Sequence, residues 1–209
     1  PFPATACKVQ EAIGANNAAS FDVSAACSGF VYGIEIAAQF IKTRFVKNAL
    51  IIGSEVFSRF IDWEDRTTCV LFGDGAGAAL LEYSEKDMFL GGMLSSDGSG
   101  KNLLYMPAGG TEFPASSDTV NNRQHFLKMN GLQLMESIVP LVCEVVLNTC
   151  KKAGKSIDDV DIIVPHQANI NIIEEVSEFL DIPQEKFMAN LDKVGNTSSA
   201  SIPLCLIDS

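Results

Sequence analysis

The chain has 209 residues, a net charge of −11 at pH 7 and a hydrophobic content of 47%. Such an acidic chain lacks the basic stripe with which proteins contact phosphates, so we expect no nucleic-acid partner. No apolar run reaches the length of a membrane span, and no secretory leader is visible, so we expect no membrane association. The length fits one large domain or two small ones with a sizeable core.

The cysteines predict a reducing compartment. None of the six forms a C-x-x-C pair, so zinc and redox motifs are weak interpretations, and we expect no metal. Because the chain is too large to need disulfides, we expect free thiols in the cytoplasm or a plastid. The six are Cys7, Cys27, Cys69, Cys143, Cys150 and Cys205.

In the first part of the chain, short strands alternate with helices. "ATACKVQEAIGA" predicts a helix ending at Gly14, and "ASFDVSA" predicts a short strand. The segment from Ser28 to about Phe45 is apolar on nearly every side, which is typical of a fully buried helix. "NALIIGSEVF" predicts a strand buried on both faces, and "TTCVLFGDGAGAALLEYS" predicts two strands around a glycine-rich turn.

The second part repeats this alternation. "MFLGGMLSSDGS" predicts a strand, followed by a loop from Asn102 to about Asn122 that is a candidate linker or lid. A long helix is expected from Asn130 to about Lys152. "DDVDIIVPHQA" predicts a buried strand, "NIIEEVSEFLD" a helix, and "FMANLDKVGNTSSASIPLCL" a loop that enters another helix. The sequence therefore predicts an α/β fold with mainly parallel sheets, divided into similar parts at residues 1–85 and 86–209.

Cys27 lies in "SAACSGF", where a predicted strand turns into a predicted helix. A helix N-terminus directs backbone N–H groups at such a position, so this thiol is expected to ionise more easily than a free one. The small neighbours leave room for a substrate. Free cysteines are also common in protein cores, so a purely structural role stays open.

His166 and Asn196 are further candidates. His166 lies in "VPHQAN" after a predicted strand, where α/β proteins place their sites, although a hydrogen-bonded surface histidine is an equal alternative. His125 lies in a polar loop and is expected to be structural. Asn196, in "VGNTSSAS", is either functional or a helix cap beside Gly195, and it also begins an N-glycosylation sequon whose use the expected compartment opposes.

"FGDGAGA" matches a dinucleotide-binding pattern only weakly. A short, strand-like segment follows it instead of a helix, so a phosphate cradle is the lesser interpretation. A tight turn where backbone passes close to a site is favoured.

Taken in order, "AACSGF", "PHQAN" and "GNTSSASIP" closely resemble the β-ketoacyl-acyl-carrier-protein synthase III family, and "FGDGAGAALL" and "ALIIGSEVFSR" extend the resemblance over essentially the whole chain. The resemblance implies a thiolase-like fold of two similar halves in a layered α-β-α-β-α arrangement, usually as a homodimer. It implies acyl transfer from a short acyl-CoA to a cysteine, then decarboxylative condensation with malonyl-acyl carrier protein. No cofactor is implied beyond the coenzyme A thioester.

The resemblance also implies roles for individual residues. Cys27 would be the nucleophile, and His166 and Asn196 would stabilise the enolate formed by decarboxylation. Substrate-binding residues would be Phe2, which reaches into the partner's pocket in a dimer; Arg66, near the adenine of coenzyme A; Phe72, Met129 and Met135, which line the acyl pocket; and Asn169 of "PHQAN".

Two departures from the family accompany the resemblance. Family members are longer at both ends, so we expect this chain to lack an opening strand and the closing glycine-rich loop that completes the oxyanion hole. Bacterial relatives often carry arginine where this chain has Asn171, and lysines where it has Glu174, Glu175 and Glu178. Docking of an acidic carrier protein is therefore expected to be weak, unless Lys128, Lys151 or Lys152 provides the patch.

Several alternatives stay open. Type III polyketide synthases use the same Cys–His–Asn set. Degradative thiolases use a second cysteine near the C-terminus, outside this chain. Elongating synthases have a second histidine where this chain has Asn196, which argues against them. Papain-like hydrolases have a different signature around their cysteine. A non-catalytic acyl-binding paralogue or an inactive fragment is the alternative from a different functional class.

Overall fold

The computed structural model describes residues 2–86 and 88–208. Two 3₁₀ turns matter for the site: Ala26–Ser28, here named the Cys27 turn, and Ser198–Ala200, here named the Ser198 turn. The helices and strands are α1 (Thr5–Ala12), α2 (Gly29–Lys42), β1 (Asn48–Glu55), β2 (Gly75–Glu82), β3 (Leu104–Tyr105), α3 (Ser117–Asn121), β4 (Lys128–Met129), α4 (Gly131–Lys152), α5 (Ile170–Leu180), α6 (Leu191–Val194) and α7 (Ser201–Asp208).

The helix predictions are largely confirmed. α1 ends just before Gly14, whose φ of 70° suits glycine. α4 begins after Asn130, whose side chain accepts a hydrogen bond from the Gln133 backbone N–H. The Asn169 side chain caps α5 in the same way. These local rules operate within one turn of chain, which is why the sequence pattern predicts them well.

The expectation of parallel sheets is wrong for the strands that the structure describes. β1 pairs antiparallel with β2, with Leu50 opposite Leu80, and β3 pairs antiparallel with β4. The segment that joins β1 to β2 contains no crossover helix, and antiparallel partners need none. Parallel pairing occurs as isolated bridges, Phe72 with Asn196 and Ile163 with Phe187.

Several predicted strands are not formed. Residues 19–25, 67–72, 88–99 and 158–168 carry no strand of more than a single bridge. An apolar pattern favours extended backbone, but a strand also needs a neighbouring ladder, and the pattern does not reveal whether one is present. The predicted loop 102–122 contains β3 and α3. It is followed by Arg123, which forms an ion pair with Asp62, so the segment is anchored at its end.

The core is divided into two small clusters. One joins α2, β1 and α7 through Phe30, Ala37, Ile51 and Ile202, and the other joins α4 to α5. α2 is not fully buried as predicted, because Phe40 and other apolar residues on it are exposed. The accessible surface is 13471 Å², whereas a compact monomer of this length exposes about 9,500 Å². The expected sizeable core is therefore only partly formed by this chain.

α4 is long and apolar enough, by length and composition, to cross a membrane, contrary to the expectation that no such segment exists. Only 11% of its most apolar window is buried. A single helix of this kind is weak support for a membrane span, because core helices of globular proteins pass the same test. The six cysteines are unbonded.

Candidate active site

The site is built where the Cys27 turn packs against the Ser198 turn. Two glycines let neighbouring segments approach the Ser198 turn and the residues before it: a side chain at Gly53 in β1 would collide with the Ser199 carbonyl, and one at Gly73 would collide with the Val194 carbonyl. The Phe72–Asn196 bridge holds the same segments together, with Gly73 N donating to Asn196 O at 2.9 Å. The close backbone approach expected for "FGDGAGA" is found at Gly73, whereas residues 75–78 of this segment lie in β2 and form no turn.

Cys27 is half-buried in a turn that directly precedes α2, and Ala26 before it has a φ of 45°. Burial raises the pKa of the Cys27 thiol, and the nearby Glu55 charge raises it further, whereas a hydrogen bond from the Ser198 side chain lowers it. The expectation that this thiol ionises more easily than a free one is wrong in this structure. Desolvation outweighs the helix terminus because the sulfur is withdrawn from water.

His166 is held by α7. Its Nδ1 lies 2.7 Å from the hydroxyl of Ser201, the first residue of that helix. Burial lowers the pKa of His166 to about 4, and the nearby Ser198 carbonyl opposes this shift. The imidazole is therefore neutral near pH 7.

The direction in which the Ser201 hydroxyl donates sets which nitrogen of the His166 ring carries the proton. The Ser201 hydroxyl also lies within 2.8 Å of the Ser198 carbonyl, to which it can only donate. When it does so, Nδ1 carries the ring proton and Nε2 is an acceptor. When the hydroxyl turns to Nδ1, Nε2 carries the proton and becomes a donor.

Asn196 is almost fully buried, with 5% of its surface exposed. Its Oδ1 accepts a hydrogen bond from the Ser198 backbone N–H at 2.9 Å, and Gly195 before it has a φ of 67°. This is the cap-like role that the sequence left open. Because it engages the oxygen, the amide nitrogen is the group available as a donor. Burial also makes Asn196 a poor glycosylation acceptor.

The Ser198 turn brings the three candidates together: it packs against the Cys27 turn, Ser198 N–H donates to Asn196, and Ser201 links His166 to the Ser198 carbonyl. The sequence pattern predicts no role for Ser198, Ser201 or Glu55. Their segments carried the resemblance, but a serine between small residues gives no pattern that distinguishes a hydrogen-bonding hub from a packing residue.

The predicted substrate-binding residues are only partly assembled. Phe72 bridges to Asn196 and stacks on Phe57, with ring centroids 4.8 Å apart, and the Asn169 amide lies 3.8 Å from the sulfur of Met135. Contacts among the described residues do not link Met129, Arg66 or Phe2 to Phe72, Asn169 or Met135. Met129 lies in β4, and Arg66 and Phe2 are exposed.

One apolar cavity lies away from these residues. It has a volume of about 210 Å³ and lies between α2 and α4, lined by Val31, Ile34 and Val145 among others. Its lining is almost entirely apolar and includes none of the three candidate catalytic residues, so the hydrogen-bond geometry around Ser198 is the better guide to the site. His125 is hydrogen-bonded to Thr119, 2.8 Å away, in agreement with its expected structural role.

Comparison with known proteins identifies one family over most of the chain. The model of the 3-oxoacyl-[acyl-carrier-protein (ACP)] synthase III family matches residues 21–98, and the model of its C-terminal part matches residues 150–209. The β-ketoacyl-[acyl-carrier-protein] synthase III of Desulfitobacterium hafniense is 50% identical over 98% of this chain. That of Clostridioides difficile is 48% identical over 98% of the chain. The chain spans 62% of the length of each of these relatives.

Solved structures give the same result. The 3-oxoacyl-[acyl-carrier-protein] synthase III of Aquifex aeolicus superposes with a TM-score of 0.88 at 42% identity, covering 99% of this chain and 63% of that one. The priming β-ketosynthase of the R1128 polyketide pathway superposes with a TM-score of 0.85 at 32% identity, covering 98% and 60%. The predicted α/β, thiolase-like fold is confirmed, while the division at residue 85 stays a prediction. The chain belongs to the 3-oxoacyl-[acyl-carrier-protein] synthase III family.

Proposed function

We propose that this chain carries the reactive centre of a condensing enzyme that starts fatty acid synthesis. The observation that supports this most strongly is the meeting of a cysteine, a histidine and an oriented asparagine at the Ser198 turn. Its substrates are a short acyl-CoA and malonyl-acyl carrier protein, and it acts as a homodimer in the cytoplasm or a plastid. No cofactor is needed beyond the coenzyme A thioester.

In the first half-reaction, the Cys27 thiolate attacks the carbonyl of the acyl-CoA. A carbon–sulfur bond forms to Cys27, the bond to coenzyme A breaks, and the coenzyme A thiolate leaves with the electron pair. One thioester replaces another, so the step is nearly balanced in energy. Because burial raises the pKa of Cys27, thiolate formation needs local support.

In the second half-reaction, malonyl-acyl carrier protein loses carbon dioxide and leaves an enolate. Asn196 donates from its amide nitrogen to the enolate oxygen, and His166 donates from Nε2. The enolate carbon then attacks the acyl group on Cys27 and releases the thiolate with a 3-oxoacyl product. For His166 to donate from Nε2, the Ser201 hydroxyl must turn from the Ser198 carbonyl to Nδ1.

Substrate binding follows the same proposal. Phe72, Met129, Met135 and Phe2 of a partner subunit are bulky, so the acyl pocket accepts a short starter. Asn169 and Arg66 bind the substrate thioester and its coenzyme A part. The relatives at 42–50% identity are synthases III, so the type III polyketide synthase alternative is not favoured.

Mass spectrometry of the protein after incubation with acetyl-CoA tests the proposal. We expect one acetyl group on the peptide that contains Cys27, and none in Cys27→Ala. Cys143→Ala is the matched control, because it removes a buried thiol outside the site. An unmodified Cys27 peptide would support the non-catalytic alternative instead.

A further inference from the structure

His166 lies beside the point where the Ser198 turn passes into α7. Its Nδ1 is 2.7 Å from the hydroxyl of Ser201, the first residue of that helix, and only 1% of the Ser201 surface is exposed. The N-terminus of a helix carries partial positive charge, which disfavours a second positive charge on the ring. A histidine held there stays neutral, and a neutral imidazole can polarise a substrate carbonyl by donating a hydrogen bond.

The Ser201 hydroxyl has two acceptors within reach. One is His166 Nδ1, and the other is the Ser198 carbonyl, 2.8 Å away. The same carbonyl also accepts a hydrogen bond from the backbone N–H of Ser201. It therefore keeps a partner when the hydroxyl turns away from it. Because a hydroxyl has a single proton, it donates to one of the two acceptors at a time.

The direction of this donation decides which ring nitrogen of His166 carries the proton, because a neutral imidazole has only one. Donation to the Ser198 carbonyl would be the second hydrogen bond to that oxygen. Donation to Nδ1 serves the more basic acceptor, since an imidazole nitrogen is a stronger base than an amide oxygen. The contacts therefore favour donation from Ser201 to Nδ1, with the ring proton on Nε2.

Asn196 is oriented by the same turn. Its Oδ1 accepts a hydrogen bond from the Ser198 backbone N–H at 2.9 Å, so its amide nitrogen is the end that can donate. With the ring proton of His166 on Nε2, both side chains are neutral donors. Two such donors suit an acceptor oxygen that gains negative charge during a reaction.

We propose that Ser201 is a positioning residue for His166: its hydroxyl donates to Nδ1 and holds the ring proton on Nε2. The serine acts through the ring, and no proton passes between the two side chains. This inference rests on the proposed function, in which His166 donates to the enolate oxygen.

Nuclear magnetic resonance of the protein, labelled with nitrogen-15 in its histidines, tests this near pH 7, where His166 is neutral. Protonated and unprotonated ring nitrogens have well-separated shifts, so the spectrum reports the tautomer directly. The chain has two histidines, and His125→Gln assigns their signals. We expect Nε2 of wild-type His166 to carry the proton. A proton on Nδ1 instead would overturn the inference, whether or not any variant folds.

Ser201→Ala removes the donor and leaves the Ser198 carbonyl, which can only accept, near the ring. We expect the ratio of Nε2–H to Nδ1–H to fall by about tenfold, and Ser201→Thr, which keeps the hydroxyl, to restore it. Ser177→Ala is the matched control, because it removes a buried hydroxyl that donates to the Ile182 carbonyl. An unchanged ratio in Ser201→Ala, or an equal fall in Ser177→Ala, would contradict the role of Ser201.

The spectra need no acyl substrate, so they separate this inference from the proposed function. A wild-type protein with Nε2–H at His166 that gains no acetyl group on Cys27 would contradict only the proposed function. An acetylated Cys27 together with Nδ1–H at His166 would overturn only the role of Ser201.

Discussion

The Cys27 turn and the Ser198 turn have the same backbone plan but different surroundings. Each contains a non-glycine residue with a positive φ, Ala26 at 45° and Ser198 at 50°, and each leads directly into a helix. Ala26 is exposed, whereas the residues of the Ser198 turn are covered by β1, β2 and α7. The partly exposed Cys27 turn presents the sulfur atom, and the buried Ser198 turn holds the groups around it.

The first test removes one side chain that lies against the Ser198 turn. We expect Asn196→Ala and His166→Ala each to lower the rate of decarboxylative condensation by about 10²–10³-fold, because each removes a donor to the enolate. Acyl transfer to Cys27 should stay measurable in both. The measurement compares condensation with the acetylation assay, and an equal loss of both half-reactions would contradict this division of roles.

A second test protonates His166, whose ring lies beside the Ser198 turn. The folded-state pKa of His166 is about 4, below its ordinary value of 6.5. The unfolded chain therefore binds more protons between these values, and the free energy of unfolding falls as the pH is lowered from about 6.5 to 4. The full loss is on the order of 3 kcal/mol.

Denaturant unfolding at several pH values measures this loss. His166→Gln should abolish the slope in that window, while His125→Gln serves as the matched control and should retain it. Asp62 and Asp74 also have lowered pKa values, but an aspartate ordinarily titrates near 4. Their effect on the free energy of unfolding therefore falls at lower pH than that of His166. The same slope in His166→Gln would assign it to other groups.

A third test displaces the Ser198 turn from strand β1. Gly53→Ala places a methyl group against the Ser199 carbonyl, so the Ser198 turn must shift. We expect a loss of about 1–3 kcal/mol in the free energy of unfolding. Gly98→Ala is the control, because open space surrounds it. Equal stabilities for the two variants in thermal unfolding would show that the close approach is not required.

The smallest expected effect concerns α5, outside both turns. Its exposed face carries Glu174, Glu175 and Glu178, which oppose an acidic carrier protein. We expect kcat/KM for malonyl-acyl carrier protein to rise with added salt, and Asn171→Arg to lower KM only a few-fold, since a rim charge pair contributes about 0.2–1 kcal/mol. Strong binding that salt weakens, in both proteins, would indicate docking on another, basic surface.

The sequence predicts the features that depend on neighbouring residues. The helices and the order of the motifs around Cys27, His166 and Asn196 could be inferred without a structure, whereas the capping roles of Asn130 and Asn169 came from the structure. The pairing of β1 with β2 could not, because an apolar strand pattern does not specify the direction of its partner. The raised pKa of Cys27 was also missed, because burial and the Glu55 charge come from segments distant in the chain.

The large exposed surface of this chain has a calorimetric consequence. Folding buries roughly a sixth less surface than in a compact protein of 209 residues. Heat capacity change and denaturant sensitivity both scale with the surface exposed on unfolding, so each should be lower by about that fraction. The stability of this chain is therefore expected to vary more gently with temperature than its length suggests, with a broader transition.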